Sequence, residues 1–298
     1  MSALSVRSSA NPGELRGLLR RYNLRAKKSL GQHFLTDRRV LSKILGAAQV
    51  AAQDLVLEVG PGLGALTQEL AARARRVVAI EVDEALASLL RRELSQLPNL
   101  EIVVGDILEM KPGELVRNQG LGDSQRSDML PRYKVVANLP YYIANPVLRH
   151  FLEASHKPSR MVVMVQKEVG ETIVAQPGKM GLLSLGVQVY GKPFIVCRVP
   201  SRSFYPSPKV DSVVVAIDVY GEPVVEEPEA FFRIARAGFS APRKQLHNSL
   251  SQGLAKPADE VKELLRGVGI DGRRRASTLS LEEWDLLCRT FRQNPSPC

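Results

Sequence analysis

Residues 54–64 read Asp54-Leu55-Val56-Leu57-Glu58-Val59-Gly60-Pro61-Gly62-Leu63-Gly64. A short, nearly continuous apolar run that stops at a glycine cluster predicts a buried strand whose carboxyl end enters a tight turn. A helix-like run, Ala65–Ala74, follows at once, and then a second strand-like run, Val77–Val82. The alternation continues outward. Glu84–Leu97 is helical, with Leu86, Leu89, Leu90, Leu94 and Leu97 on one face. Glu101–Val104 and Tyr133–Asn138 read as strands, Pro146–Ala154 as a helix and Arg160–Val165 as a fifth strand. Alternating β and α units with near-continuous apolar strands predict an α/β, Rossmann-like, doubly wound parallel sheet covered on both faces. Phe194–Val199 and Ser212–Val219 have no helical pattern between them, so an antiparallel hairpin at the sheet edge is expected, for about seven strands in all.

From about Tyr220 the character changes. Gly221–Glu229 is a Pro- and Glu-bearing linker, and helical patterns follow: Phe231–Leu254 interrupted at Pro242, Asp259–Val268, and Leu281–Phe291. Ser280 followed by Glu283 forms a capping-box signature. The expected organisation is therefore a basic arm over 1–26, an α/β domain over 27–219 and a small all-helical domain over 220–298. Asn118–Arg132, polar and aperiodic, reads as a surface loop.

The composition of the 298 residues, 44% hydrophobic and 24% charged, excludes a mainly disordered, collagen-like or disulfide-stapled chain. No apolar run approaches the ~18 residues of a membrane span. The N-terminus lacks the apolar stretch of a secretory signal. Cys197, Cys288 and Cys298 have no metal-binding spacing, so no metal site is expected, and a reducing, cytoplasmic setting is. The net charge of +10 is concentrated at one end, since residues 1–50 hold 10 Lys/Arg against 2 Asp/Glu. Arg16, Arg20, Arg21, Arg25, Lys27 and Lys28 read either as a footprint for a polyanion, nucleic acid by default, or as a solvated, disordered tail.

At the glycine turn, backbone can approach a ligand closely and a helix N-terminus can face it. Two acids give the turn more weight. Glu81 ends the second strand, where an acid can accept hydrogen bonds from ribose hydroxyls. Asp106 follows the third strand, where a carboxylate can reach an exocyclic amine. With Gly60 and Gly62 they outline a nucleoside cleft, although both acids could instead cap the helices that follow. Pro61 removes one backbone donor from the turn, which disfavours a pyrophosphate and with it a dinucleotide.

Asn138-Leu139-Pro140-Tyr141 closes the fourth strand and matches the [N/D]-[P/L]-P-[Y/F/W] pattern of amino-methyltransferases. An adenine N6 is a poor nucleophile because its lone pair is delocalised into the ring. The Asn138 side-chain oxygen and the Leu139 carbonyl can accept both amino hydrogens and steer the lone pair. Pro140 stiffens the turn, and Tyr141 offers a face for an extruded base. Catalysis of this kind is mainly alignment and electrostatics.

With these motifs in place the chain resembles the KsgA-type rRNA adenine dimethyltransferases, over nearly its whole length from about Lys27. Further likeness lies in Lys28-Ser29-Leu30-Gly31-Gln32-His33-Phe34-Leu35, in Gln166-Lys167-Glu168-Val169, in Phe204 through Ser212, and in the helices around Phe239–Leu250 and Arg275–Leu287. The resemblance implies a class I methyltransferase fold, S-adenosylmethionine as cofactor, and two methyl groups placed on N6 of each of two adjacent adenosines. The implied substrate is the hairpin loop near the 3′ end of 16S rRNA within an immature small subunit; nothing in the sequence suggests an obligate dimer, so a monomer is expected.

It further implies that His33 and Leu35, with Gln32 nearby, hold the methionine end of the cofactor. Gly60, Glu81, Asp106 and Asn138 would complete that site, and Phe204 would flank the target base opposite Tyr141. Phe239-Ser240-Ala241-Pro242-Arg243-Lys244 departs from the family's F-x-Q-R-R-K, and Met180-Gly181 stands where Tyr-Gly is common before Leu-Ser. Two other readings compete. One is a large-subunit rRNA methyltransferase of the macrolide-resistance type, whose N-terminal motif usually reads S-Q-N-F. The other is a non-catalytic rRNA-binding assembly factor on the same fold.

Overall fold

The computed structural model describes residues 12–117 and 130–293. The first eleven residues of the expected basic arm, and residues 118–129 of the expected surface loop, lie outside the described residues. In chain order the elements are α1 (Pro12–Arg21), β1 (Phe34–Leu35), α2 (Arg38–Ala48), β2 (Leu55–Val59), α3 (Ala65–Ala71), β3 (Arg76–Glu81), α4 (Glu84–Glu93) and β4 (Leu100–Val104). There follow α5 (Pro112–Arg117), β5 (Tyr133–Asn138), α6 (Ala144–Leu152), β6 (Arg160–Gln166), α7 (Lys167–Ile173), α8 (Leu182–Gln188), β7 (Gly191–Val199), β8 (Phe204–Tyr205) and β9 (Ser212–Val219). Four helices complete the chain: α9 (Pro228–Phe239), α10 (Leu246–Leu254), α11 (Ala258–Gly267) and α12 (Leu281–Gln293).

The strands form a seven-stranded sheet in the order β4-β3-β2-β5-β6-β9-β7. β4 through β6 pair in parallel, whereas β9 runs antiparallel to β6. β2 is buried at every position, as is β3 after its first residue, which is why both read as nearly continuous apolar runs, broken only by Glu58 in β2 and bounded by Arg76 and Glu81 in β3. The second strand of the expected edge hairpin lies inside the first: β9 sits between β6 and β7, buried along six of its eight residues. Arg160 and Asp218, opposite one another in the β6–β9 register, form an ion pair at 2.9 Å.

Chain direction through the sheet reverses between β2 and β5. From β2 the chain moves outward to β3 and β4, then returns to the other side of β2 for β5 and β6. Such a switch point opens a crevice beyond the carboxyl ends of the two central strands. Two apolar clusters flank the sheet. One joins Val40, Ile44 and Ala48 of α2 and Leu66 and Leu70 of α3 to Val56, Val136, Val162 and Val214. The other joins Leu86, Leu89, Leu90 and Leu94, on and just after α4, to Leu15, Leu18 and Leu19 of α1.

That second cluster revises the view of the N-terminus as a solvated tail. Residues 12–21 form a helix because Leu15, Leu18 and Leu19 fall on one face at helical spacing and bury against the leucines of α4. Arg16, Arg20 and Arg21 are exposed. The Arg16 guanidinium lies 4.9 Å from the Tyr205 ring centroid.

The described residues fall into two compact units, 12–170 with 193–221 and 171–192 with 222–293. The sequence places the whole of 27–219 in the α/β domain, whereas the segment 171–192 groups with the C-terminal helices. The amides of Gly178 and Met180 both donate to the Ser277 carbonyl, the Val224 amide donates to the Val189 carbonyl, and Tyr190 stacks on Phe232. In this unit the Ser280–Glu283 capping box forms, with the Ser280 amide 2.8 Å from Glu283 and the Glu283 amide 3.2 Å from the Ser280 hydroxyl.

Candidate functional site

Four chain segments converge beyond the carboxyl ends of β2, β3, β4 and β5. The turn after β2 carries Gly60, Gly62 and Gly64 at φ 69°, 58° and 81°, a left-handed run that side chains strain to adopt. A Cβ on Gly62 would also lie 3.0 Å from the Phe34 ring, a tight contact that the β1 segment would have to yield to. Gly60, Gly62, Glu81, Asp106 and Asn138 all line one cleft, together with Leu139, Pro140 and Tyr141. Gln32, His33 and Leu35 line the same cleft from the N-terminal segment.

Glu81 is buried, and both its oxygens are engaged: Oε2 accepts from the Gly62 amide at 3.3 Å and Oε1 from the Asp83 amide at 3.0 Å. Burial raises its carboxyl above the ordinary value, against those two donors. Asp106 lines the cleft while its Oδ1 caps the turn after β4 through the Leu108 amide, at 2.9 Å. The capping explanation thus holds for part of Asp106. The N-cap of α4, however, is Asp83 and not Glu81.

Asp83 also fastens the N-terminal segment, because Lys27 Nζ and Gln32 Nε2 donate to its two oxygens at 2.9 and 3.0 Å. Burial pushes the Asp83 carboxyl up, but the hydrogen bonds from Lys27 and Gln32, with the charge of Lys27, outweigh it and hold the group below its ordinary value. The Gln32 side chain is engaged in this tie at both ends, since its Oε1 accepts from the Lys27 amide at 2.8 Å.

At the end of β5, Asn138 Nδ2 donates to the His33 carbonyl at 3.0 Å. With the amide nitrogen so placed, Oδ1 is left as the acceptor of this side chain. The His33 ring stacks on Tyr141, with centroids 5.9 Å apart and planes at 26°. His33 Nδ1 lies 2.7 Å from the Pro206 carbonyl, which can only accept, so Nδ1 carries the proton. The Tyr141 hydroxyl is 2.7 Å from Ser212 Oγ, at the start of β9. Burial raises the Tyr141 phenol, keeping it neutral.

The structure does not bring Phe204 to this cleft. β8 pairs with β1, Leu35 opposite Phe204 and Phe34 opposite Tyr205, and strand alternation sends the two aromatic rings to opposite faces. Phe204 enters the core beside Val199 and Val214 at 5% exposure, while Tyr205 packs toward the α1–α4 cluster. Beside Tyr141 the cleft is lined by Tyr142, 57% exposed, which the sequence reading passed over. Glu58, Asp83 and Ser212 were missed as well. Glu58 carries a signal as the one charged residue inside an apolar strand, and Asp83 one step before α4 carries an N-cap signal.

No lysine or arginine lines the cleft among the described residues, while three carboxyls, Glu58, Glu81 and Asp106, do. A cleft of this charge suits a cationic nucleoside and opposes a pyrophosphate. S-adenosylmethionine, a nucleoside carrying a sulfonium and an ammonium, fits this donor set.

This sheet order, with the antiparallel β9 inserted beside β6 and a cleft at the switch point, defines a class I methyltransferase. The chain belongs to the ribosomal RNA adenine dimethylase family, whose model matches residues 23–291. A ribosomal RNA small subunit methyltransferase A from Dehalococcoides mccartyi is 49% identical over 276 residues, covering 92% of this chain and 91% of that one. Among solved structures, a dimethyladenosine transferase from Plasmodium falciparum superposes with a TM-score of 0.72 at 25% identity, over 88% of this chain and 98% of that one. The 23S rRNA methyltransferase ErmE superposes at 0.68 with 29% identity, over 87% of this chain and all of that one.

Proposed function

We propose that this protein is the S-adenosylmethionine-dependent enzyme that dimethylates N6 of two adjacent adenosines in the 3′-terminal hairpin loop of 16S rRNA. The observation that carries this reading is the Asn138 amide, locked through Nδ2 onto the His33 carbonyl at the rim of an acidic nucleoside cleft. The 49% identity to a small subunit methyltransferase A, against 29% to the 23S enzyme, supports the small-subunit substrate over the resistance-type alternative.

When bound, the cofactor supplies a methyl group already activated by its sulfonium charge. The residues of this chain do the rest by placement. Glu81 and Asp106 hold ribose and adenine, while Gly60 and Gly62 let backbone approach the ligand. His33 and Leu35 contact the methionine end. Gln32 serves that end indirectly, by fixing the segment to Asp83. Asn138 Oδ1 and the Leu139 carbonyl accept the two N6 hydrogens of the target, which directs the N6 lone pair at the methyl group. Tyr141, backed by His33 and held by Ser212, offers the face on which the extruded base stacks.

The exposed arginines of α1, with Arg25 and Lys28, attract the RNA backbone, and the C-terminal helical unit contacts RNA beyond the target loop. The particle acted on is an immature small subunit in the cytoplasm, and the enzyme works as a monomer.

Transfer of tritiated methyl groups to under-methylated small-subunit particles, followed by nucleoside analysis, tests this. N6,N6-dimethyladenosine in small-subunit rRNA is the expected product. Transfer only to large-subunit rRNA would move the assignment to the resistance-type activity, and cofactor binding without any transfer would leave a binding factor.

A further inference from the structure

Tyr141 and Tyr142 follow one another on a short 3₁₀ turn, Tyr141–Ile143, directly after Pro140. Three residues complete a turn of this kind, so consecutive side chains point about 120° apart and the two rings cannot face the same base. Tyr141 is already committed. His33 stacks on its ring and its hydroxyl lies 2.7 Å from Ser212 Oγ, which leaves one face for a target base. Tyr142 is the opposite case, the most exposed of the large hydrophobic side chains among the described residues. Its Cδ1–Cε1 edge lies 3.5 Å from where a Cβ on Gly31 would stand. Partial desolvation raises its phenol, and the charges of Asp106 and Glu81 add to the rise, so the phenol lies in the field of both acids and stays neutral. The ring therefore stands at the cleft rim, beside the Gly31 turn, with more than half of the residue open to solvent.

The reaction proposed above has two adjacent adenosines as its target, and a single platform serves one of them at a time. Of the other rings that line the cleft among the described residues, Phe34 is buried and His33 backs Tyr141. Phe204 lies in the core. Tyr142 is the ring that remains. Unpaired nucleotides of an RNA loop are held largely by stacking of the base on an aromatic face, which requires neither charge nor a fixed hydrogen bond.

We propose that Tyr142 is a specificity-determining residue that holds the second adenosine of the pair: while one adenine is extruded onto Tyr141, its neighbour stacks on the exposed Tyr142 ring at the rim. The proposal rests on the reading of the cleft as a two-adenosine dimethylation site. A methyl group on N6 leaves the face of the purine intact, so the same ring serves the pair in either order. The neighbour is held alike in ground state and transition state, so loss of the ring raises KM for the particle and leaves kcat nearly unchanged. Stacking of one base on an aromatic side chain is worth about 5–150-fold in affinity by alanine substitution.

Steady-state methyl transfer to small-subunit particles reconstituted with unmodified 16S rRNA tests this, with wild type, Tyr142→Ala and Tyr142→Phe compared. The alanine variant is expected to raise KM by about 5–150-fold at nearly constant kcat, and phenylalanine, which keeps the stacking face, to restore it. S-adenosylmethionine affinity in calorimetry and the melting curve should stay at wild-type values in both. A second rRNA, with uridine in place of one adenosine of the pair, completes the cycle. The weaker stacking base should raise KM for the remaining adenosine in the wild type and add little in Tyr142→Ala. An alanine variant with wild-type KM would overturn the proposal, as would an equal uridine penalty in both proteins. Lost cofactor affinity at unchanged particle KM would make Tyr142 a cofactor contact instead, and a phenylalanine variant as impaired as alanine would assign the effect to the hydroxyl; either overturns it. Absence of N6,N6-dimethyladenosine with the wild type would overturn the two-adenosine reading itself, and this proposal with it.

Discussion

Replacing Asn138 by alanine removes, in the proposed mechanism, both an anchor and an acceptor. Nδ2 anchors the side chain to the His33 carbonyl at 3.0 Å, and that anchor leaves Oδ1 as the oxygen that, in the proposed mechanism, accepts from the target amine. As N6 attacks the methyl group it gains positive charge, so an acceptor fixed on its hydrogens is worth more in the transition state than in the ground state. Loss of one preorganised polar group of this kind typically lowers the chemical rate by about 10²–10³-fold, or about 3–4 kcal/mol. Asn138→Ala is therefore expected to slow single-turnover methyl transfer by about that factor. Cofactor affinity should suffer far less, because Glu81 and Asp106 sit on other strands and keep their own backbone partners.

Asn138→Asp separates anchor from acceptor. A carboxylate keeps an acceptor toward the cleft but faces the His33 carbonyl with a second oxygen, which repels it. Its rate should fall between wild type and alanine, because the remaining oxygen is no longer held in line. The assay is rapid-quench transfer from saturating S-adenosylmethionine to under-methylated particles, with cofactor affinity measured separately by calorimetry. An alanine variant with an unchanged single-turnover rate would refute the mechanism. A variant that loses cofactor binding and rate in equal proportion would make Asn138 a binding residue only.

Leu15→Ala should cost about 2–5 kcal/mol of local stability, because this leucine is 1% exposed in the α1–α4 cluster, and α1 amides should lose hydrogen-exchange protection ahead of the sheet. Gly62→Ala forces a left-handed residue to carry a Cβ against Phe34, at about 1–2 kcal/mol for the backbone alone, and should weaken cofactor binding in calorimetry while the sheet stays folded. Neutralising Arg16, Arg20, Arg21, Arg25 and Lys28 should reduce the slope of log K against log salt for RNA binding by about 0.7 for every phosphate that is no longer paired with a cation; an unchanged slope assigns the α1 face to some other role. The Asp83 carboxyl lies below its ordinary value in the folded state, so its stabilising effect is present above about 3.9 and fades as pH falls through the lowered value. Asp83→Asn should accordingly be less stable than wild type at pH 7 in thermal melts, and the gap should close in acid.

What the sequence revealed of the site follows from one physical fact. In a parallel sheet covered on both faces, functional groups sit at the carboxyl ends of strands, and those strands are the nearly continuous apolar runs that are easiest to recognise. Gly60, Glu81, Asp106 and Asn138 each end or follow such a run, so reading the runs was enough to bring the four together. The parts that escaped depend on pairings distant in sequence. Whether Phe204 or Tyr205 faces the core is decided by register with Phe34 and Leu35, about 170 residues earlier. The insertion of β9 between β6 and β7, and the attachment of 171–192 to the C-terminal helices, are likewise non-local. The α1 helix escaped for another reason. Its arginines dominated the charge count, although the spacing of Leu15, Leu18 and Leu19 was already that of a buried helix face.

The distribution of charge explains how one protein handles a cation and a polyanion without confusing them. The cleft holds Glu58, Glu81 and Asp106 and no lysine or arginine among its described residues, so a phosphate entering it would meet carboxyl groups and no cation. Arg16, Arg20, Arg21, Arg25 and Lys28 are exposed, where counterion release can draw in an RNA backbone. A target adenine carries no charge and can cross from the basic exterior to the acidic interior once it leaves its stack, while its own phosphates are held back. The same separation disfavours a dinucleotide, whose pyrophosphate would have to lie against the glycine turn between Glu58 and Glu81. Selection of a cationic methyl donor and exclusion of the substrate backbone are thus two effects of one arrangement, set by which side chains stand at the ends of β2, β3 and β4.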